Sequence, residues 1–167
     1  MRKIIIIGCP GSGKSTLSKE LRDILRYPLL HLDKIYHISN TEHITRDELK
    51  AQINEFDKKH ENWIIDGNYL STMEFRIQLA DTIILFNIDT NICLDNVINR
   101  AKMYKGKSRS DMAEGFTENL EEEFLDFVRS FRSDIMPEID KLISKYDKKV
   151  IRINNYQEKK QFLSNMI

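Results

Sequence analysis

The sequence predicts an α/β fold: a parallel sheet with helices on both faces. Five apolar, β-branched runs, at residues 3–7, 29–32, 63–65, 82–88 and 149–153, are continuous rather than alternating, as in strands buried on both sides. Helical patterns separate them, and an alternation of strand and helix leads to parallel pairing. The 167 residues suffice for one domain, spanning 1–167, with a sizeable core.

The first run follows Met1-Arg2-Lys3, and its four isoleucines fall short of the ~7–15 apolar residues of a secretory leader, so it reads as a strand. A helix over 14–26 follows, and a second over 45–60 starts at Thr45-Arg46-Asp47-Glu48, a capping box. Residues 72–80 and 90–104 are helical in pattern, the latter capped by Asp89. A long helical pattern from about 117 to 146 is interrupted by Pro137, which makes it two helices or one kinked helix. Within it Glu121-Glu122-Glu123 reads as an exposed face, and Phe124, Phe127 and Phe131, at helical spacing, read as core.

Lysine plus arginine total 26 and aspartate plus glutamate total 26, so no global field draws the chain to nucleic acid or membrane, and any basic site is local. No stretch approaches the ~18 apolar residues of a membrane span. Cys9 and Cys93 lie far apart in sequence and no Cys-x-x-Cys occurs, which argues against a disulfide framework or structural zinc and for a reducing, cytoplasmic setting.

Between the first strand and first helix stands Gly8-Cys9-Pro10-Gly11-Ser12-Gly13-Lys14-Ser15-Thr16, which matches G-x-x-x-x-G-K-[ST]. Glycines let the backbone curl so that successive N–H groups face phosphate oxygens, and the helix beginning near Lys14 adds its positive end. Lys14 would bridge the β and γ phosphates, and Ser15 would offer its hydroxyl to Mg²⁺. Cys9 reads as packing, facing away from the ligand.

Ligands of an open parallel sheet sit beyond the carboxyl ends of the strands. There Asp33 could orient or deprotonate an acceptor hydroxyl or hold a metal-bound water, and Asp66 could organise Mg²⁺ through water. His31 and His37 flank Asp33 and read as local hydrogen-bonding groups. Positive charge gathers at Arg100, Lys102, Lys105, Lys107 and Arg109, near Gly106 and Ser108. A closing lid could deliver arginines to the transferred phosphoryl group, with Arg100 and Arg109 preferred to the lysines for their fit to phosphate. Arg76, between Phe75 and Ile77, could hold the acceptor or snorkel at the surface.

On residues 8–16, His31-Leu32-Asp33, Trp63-Ile64-Ile65-Asp66-Gly67-Asn68-Tyr69, Ala80-Asp81-Thr82-Ile83-Ile84 and the segment 104–115, the chain resembles the adenylate kinase-like P-loop family of FlaR-type DNA topology modulation proteins. The resemblance implies a nucleoside-monophosphate-kinase fold with sheet order 2-3-1-4-5, an acceptor-binding region at about 34–62 and a short lid at about 105–116. It also implies a nucleotide-side role for Arg100, a lid role for Arg109 and an acceptor role for Arg76. Where the family pattern carries a second arginine this chain has Ala101.

The expected activity is transfer of the γ-phosphoryl of Mg-ATP, with GTP a weaker alternative, to a small acceptor, first a nucleoside monophosphate. A shikimate- or gluconate-type metabolite kinase and a slowly hydrolysing regulatory module are the alternatives. Expected partners are ATP and the acceptor, in a monomer or homodimer. Direct nucleic-acid binding is not expected, because no basic recognition helix is present.

Overall fold

A computed structural model describes residues 1–39, 41–105, 110–113 and 120–166. Five strands, β1 (Lys3–Gly8), β2 (Leu29–His31), β3 (Trp63–Asp66), β4 (Thr82–Phe86) and β5 (Lys149–Ile153), form one sheet in the order β2-β3-β1-β4-β5. Every neighbouring pair is parallel, as the continuous apolar runs require. Ile4 to Ile7, Ile64, Ile65 and Ile83 to Leu85 are fully buried, whereas the edge strands β2 and β5 are half-exposed.

Around the sheet lie α1 (Lys14–Leu25), α2 (Leu32–Tyr36), α3 (Arg46–Lys59), α4 (Leu70–Leu79), α5 (Thr90–Met103), α6 (Glu122–Ser130), α7 (Met136–Ile143) and α8 (Tyr156–Ser164). The capping box forms: the Thr45 hydroxyl accepts from the Glu48 N–H at 3.2 Å, and the Glu48 carboxylate accepts from the Thr45 N–H at 2.8 Å. Thr45→Ala should therefore lower stability by about 1 kcal/mol, read as a lower urea midpoint at unchanged slope. Asp89 caps α5 by accepting from the Asn91 N–H at 2.9 Å, also as expected.

Two helices depart from the sequence expectation. With only five residues, α2 is too short to show a helical period, and α8 buries no residue completely, its apolar contact with the core coming from the half-buried Phe162 and Leu163. The last turn of β2 shortens accordingly: Leu32 and Asp33 begin a helix instead of ending a strand.

The long helical segment is interrupted as Pro137 predicts, in a specific way. Between α6 and α7 the chain makes a π-helical turn, Phe131–Ile135, closed by the Met136 N–H donating to the Phe131 carbonyl. Pro137 then occupies the first turn of α7, where its missing N–H costs little. Of the three phenylalanines assigned to the core, Phe131 is buried, Phe124 is half-buried and Phe127 is 37% exposed, packed edge-on against Phe131 at 5.7 Å. The core expectation is thus corrected for Phe127: one side of its ring has a packing partner and the other faces a cleft.

Parallel register brings the strand ends together. Asp66 lies opposite both Ile6 and His31, so the ends of β1, β3 and β2 share one rim of the sheet.

Candidate active site

At that rim β1 ends on Gly8, five residues curl back, and α1 starts at Lys14. Gly11 has φ 83°, and a side chain there would meet the Cys93 carbonyl oxygen 2.2 Å from its Cβ, so this position accepts only glycine. The curl closes on itself through the Ser12 N–H and the Cys9 carbonyl, 3.1 Å apart. Gly13, also left-handed at φ 94°, leads into α1 without a side-chain cap, which leaves the first amides of that helix for a ligand. The Ser12 hydroxyl is buried with no hydrogen-bond partner among the described residues. A glycine cradle, an uncapped helix start and an orphaned hydroxyl together fit a phosphate chain.

Lys14 reaches back over the loop, its Nζ donating to the Cys9 carbonyl at 3.1 Å. Burial pushes this ammonium below its ordinary value, while Asp66 and Asp33 oppose that shift, so two carboxylates face it. Asp66 is itself held on both oxygens, accepting from the Ser18 hydroxyl at 2.8 Å and from His31 Nδ1 at 3.0 Å. His31 thus orients Asp66, the local hydrogen-bonding role expected of it. Ser15 and Asp66 line one cavity and supply the hard oxygen donors that suit Mg²⁺.

Asp33 accepts from the Tyr69 hydroxyl at 2.5 Å, with His37 Nε2 3.5 Å from that same hydroxyl. Burial, ahead of its neighbours, pushes the Tyr69 phenol upward and the His37 imidazole downward. Tyr69 sits at φ 25°, an unusual angle for a residue with a side chain, in the turn between β3 and α4.

Arg76 has another place than the expected acceptor contact. It is fully buried beneath this turn and donates to the carbonyls of Gly67 (2.9 Å), Asn68 (2.5 Å) and Tyr69 (3.1 Å). The guanidinium pins three consecutive carbonyls, fixing a turn that offers Tyr69 to Asp33 and the Asn68 side chain to the Gly8 N–H at 3.1 Å. It neither snorkels nor lines the cleft.

These groups surround a cavity of about 890 Å³, room for a nucleotide and a second small molecule. Pro10, Gly11, Gly13, Lys14, Ser15, Thr16, Asp33, Asp66 and Arg100 all line it, whereas Gly8 and Ser12 lie behind its wall. Arg109 and most of the expected lid lie outside the described residues. Of that lid, Asp111 and Met112 line the cavity, and Ser110 accepts from Lys19 Nζ at 2.9 Å. From the expected acceptor region, residues 34–62, His37 reaches the cavity.

The lining residues Asn96 and Lys159 had escaped the sequence reading, whereas Tyr156 lies in the segment after the fifth strand, 154–156, on which the choice of base was expected to depend. Asn96 donates to the Gly11 carbonyl at 2.9 Å and to the Tyr156 hydroxyl at 3.0 Å, and Tyr156 donates to the Ser12 carbonyl at 3.2 Å. Asn96 stands one helical turn before Arg100 on α5, a spacing that could have flagged it. Tyr156 and Lys159 belong to α8, which carried no periodic signal. Cys9 does face away, its thiol directed at the Val128 carbonyl 3.7 Å distant. Yet the fold brings Cys9 and Cys93, far apart in sequence, close enough to influence each other's titration, because α5 packs on the loop.

A parallel sheet ordered 2-3-1-4-5, with this loop at the end of its central strand, is the fold of P-loop kinases. Residues 4–126 match the AAA domain family, and the chain belongs to it. A shikimate kinase of Clostridium botulinum (strain Loch Maree / Type A3) is 29% identical over 167 aligned residues, covering 92% of this chain and 94% of the relative. An adenylate kinase isoenzyme 6 homolog of Plasmodium falciparum is 29% identical with the same coverage. The solved shikimate kinase of Bacteroides thetaiotaomicron has a similar fold, with a TM-score of 0.59 at 17% identity over 98% of this chain and 94% of that one. No described helix is long and apolar enough to cross a membrane.

Proposed function

We propose that this chain is a phosphotransferase that moves the γ-phosphoryl of Mg-ATP to a small acceptor presenting a hydroxyl at Asp33. The observation that carries the reading is the facing of Lys14 by two carboxylates in one cavity, Asp66 anchored on both oxygens and Asp33 on Tyr69. The kinase names of its relatives support it.

The loop and the start of α1 would hold the phosphates. Ser15 would reach Mg²⁺ directly and Asp66 through water, and the ion would neutralise charge on the phosphate oxygens. Lys14 would follow the γ-phosphoryl oxygens as charge builds on them. Asp33, held in place by Tyr69, would align the acceptor hydroxyl and take its proton. Arg100, with Asn96 and Tyr156 nearby, would flank the nucleotide, and Arg109 would reach it from the lid. The narrower FlaR-type resemblance rests on the motifs at 63–69 and 104–115. The whole chain would act as one domain.

A nucleoside monophosphate, the acceptor first expected, loses support because Arg76 is committed to three carbonyls. ADP release from Mg-ATP, measured alone and with a panel of acceptors, tests the reading. Stimulation by one class establishes a kinase, and a flat panel despite saturable ATP binding would make the chain a nucleotide-dependent binding module. Asp33→Asn keeps an acceptor oxygen for Tyr69 but not the base. It should lower acceptor-stimulated kcat by about 10²-fold or more while ATP affinity stays within a few-fold.

A further inference from the structure

Two contacts of the loop border the cavity. At one, Asn96 and Tyr156 bind the outer curve of the loop at Gly11 and Ser12. At the other, Lys14 folds onto the Cys9 carbonyl, and α6 lies against that same residue through the Val128 carbonyl. Phe127, adjacent to Val128, lines the same cavity as Lys14. Leu70, which follows Tyr69, the partner of Asp33, lines it too.

Part of the lining is apolar and aromatic. Phe127 and Leu70, 37% and 38% exposed, are among the most exposed large apolar side chains of the described residues, and both line the cavity together with Phe124 and Ile135. Large apolar groups left open inside a concave site mark the surface that a ligand covers. The charge pattern agrees. Asp33 is engaged by Tyr69 with His37 beside it, burial pushes the His37 imidazole downward, and Arg76 behind this turn is committed to three carbonyls. Arg129 on α6 turns from the cavity to pair with Glu122 and Asp126.

Resting on the phosphotransferase reading, we propose that the acceptor is a neutral nucleoside, its base seated on Phe127, Phe124 and Leu70 and its primary hydroxyl at Asp33. An aromatic base matches these rings in size and stacking, and a primary hydroxyl suits the Asp33 carboxylate as proton acceptor. In the transfer, the hydroxyl oxygen forms a bond to the γ-phosphorus while the bond to the β,γ-bridging oxygen breaks. Its electron pair leaves with ADP, and the hydroxyl proton passes to the Asp33 carboxylate and then to water. The products are ADP and a nucleoside monophosphate.

The test is ADP release from Mg-ATP by the full chain with adenosine, guanosine, cytidine and uridine, their 5′-monophosphates, and shikimate and gluconate. The expected result is saturable stimulation by at least one nucleoside, at a kcat/KM at least tenfold above that of its monophosphate. Phe127→Ala should raise the KM for that nucleoside about tenfold and lower kcat much less, and Phe127→Leu should restore part of the loss. Preference for a monophosphate or for shikimate or gluconate would overturn the nucleoside assignment and leave the kinase reading standing. No stimulation by any of them, with Mg-ATP binding intact, would overturn both.

Discussion

The Lys14→Ala protein is expected to lose at least about 10²–10³-fold of its acceptor-stimulated ADP release, with an unchanged thermal midpoint. Charge grows on the phosphoryl oxygens during transfer, and a preorganised cation in a partly desolvated site stabilises it by far more than it would in water. Lys14 is such a cation, fixed on the first turn of α1 and facing Asp33 and Asp66. Its one described hydrogen bond, to the Cys9 carbonyl, contributes little to folding because other donors of the loop and water can replace it. Turnover and thermal unfolding of the variant separate the two effects, and unchanged turnover would remove the glycine loop from the chemistry.

Arg76→Met should be the most destabilising single change at this end of the sheet, on the order of 3 kcal/mol or more. Methionine fills a similar volume but donates nothing, so the carbonyls of Gly67, Asn68 and Tyr69 would lose their partner in a buried setting. The turn holds Tyr69 at a strained angle, and nothing in its own sequence would keep it there. Residual activity should therefore fall in the folded fraction as well, since Tyr69 no longer steadies Asp33. Urea unfolding gives the first quantity, and turnover at low temperature, where the variant is folded, gives the second. A stable, fully active variant would mean that the turn is set by something other than the guanidinium.

The parallel sheet was legible because each buried strand is a compact apolar run and each crossover helix has its own period or cap, whereas the order of its strands came from the family resemblance alone. The loop at residues 8–16 was legible because its chemistry depends on contiguous residues. Arg76 was misjudged for the opposite reason: its partners are carbonyls, which every residue carries, so no pattern of side chains announces them. Phe127 shared the spacing of Phe131, and periodicity identifies a face of a helix without saying where along that face the core stops and a cavity begins. Asn96, Tyr156 and Lys159 line the cavity through tertiary packing of α5 and α8 on the loop, which local sequence does not encode.

The π-helical turn at Phe131–Ile135 governs the angular phase between α6 and α7. One residue more than an α-helical turn rotates everything before it by about 100° relative to everything after it. Met136, Ile139 and Ile143 of α7 face the core while Phe124 and Phe127 of α6 look into the cavity, and that offset is set by a single inserted residue. Removing one residue from the turn would leave both helices intact and swing the aromatic wall out of the cavity. In this chain the aromatic wall of the cavity is therefore set by a backbone count as much as by side chains.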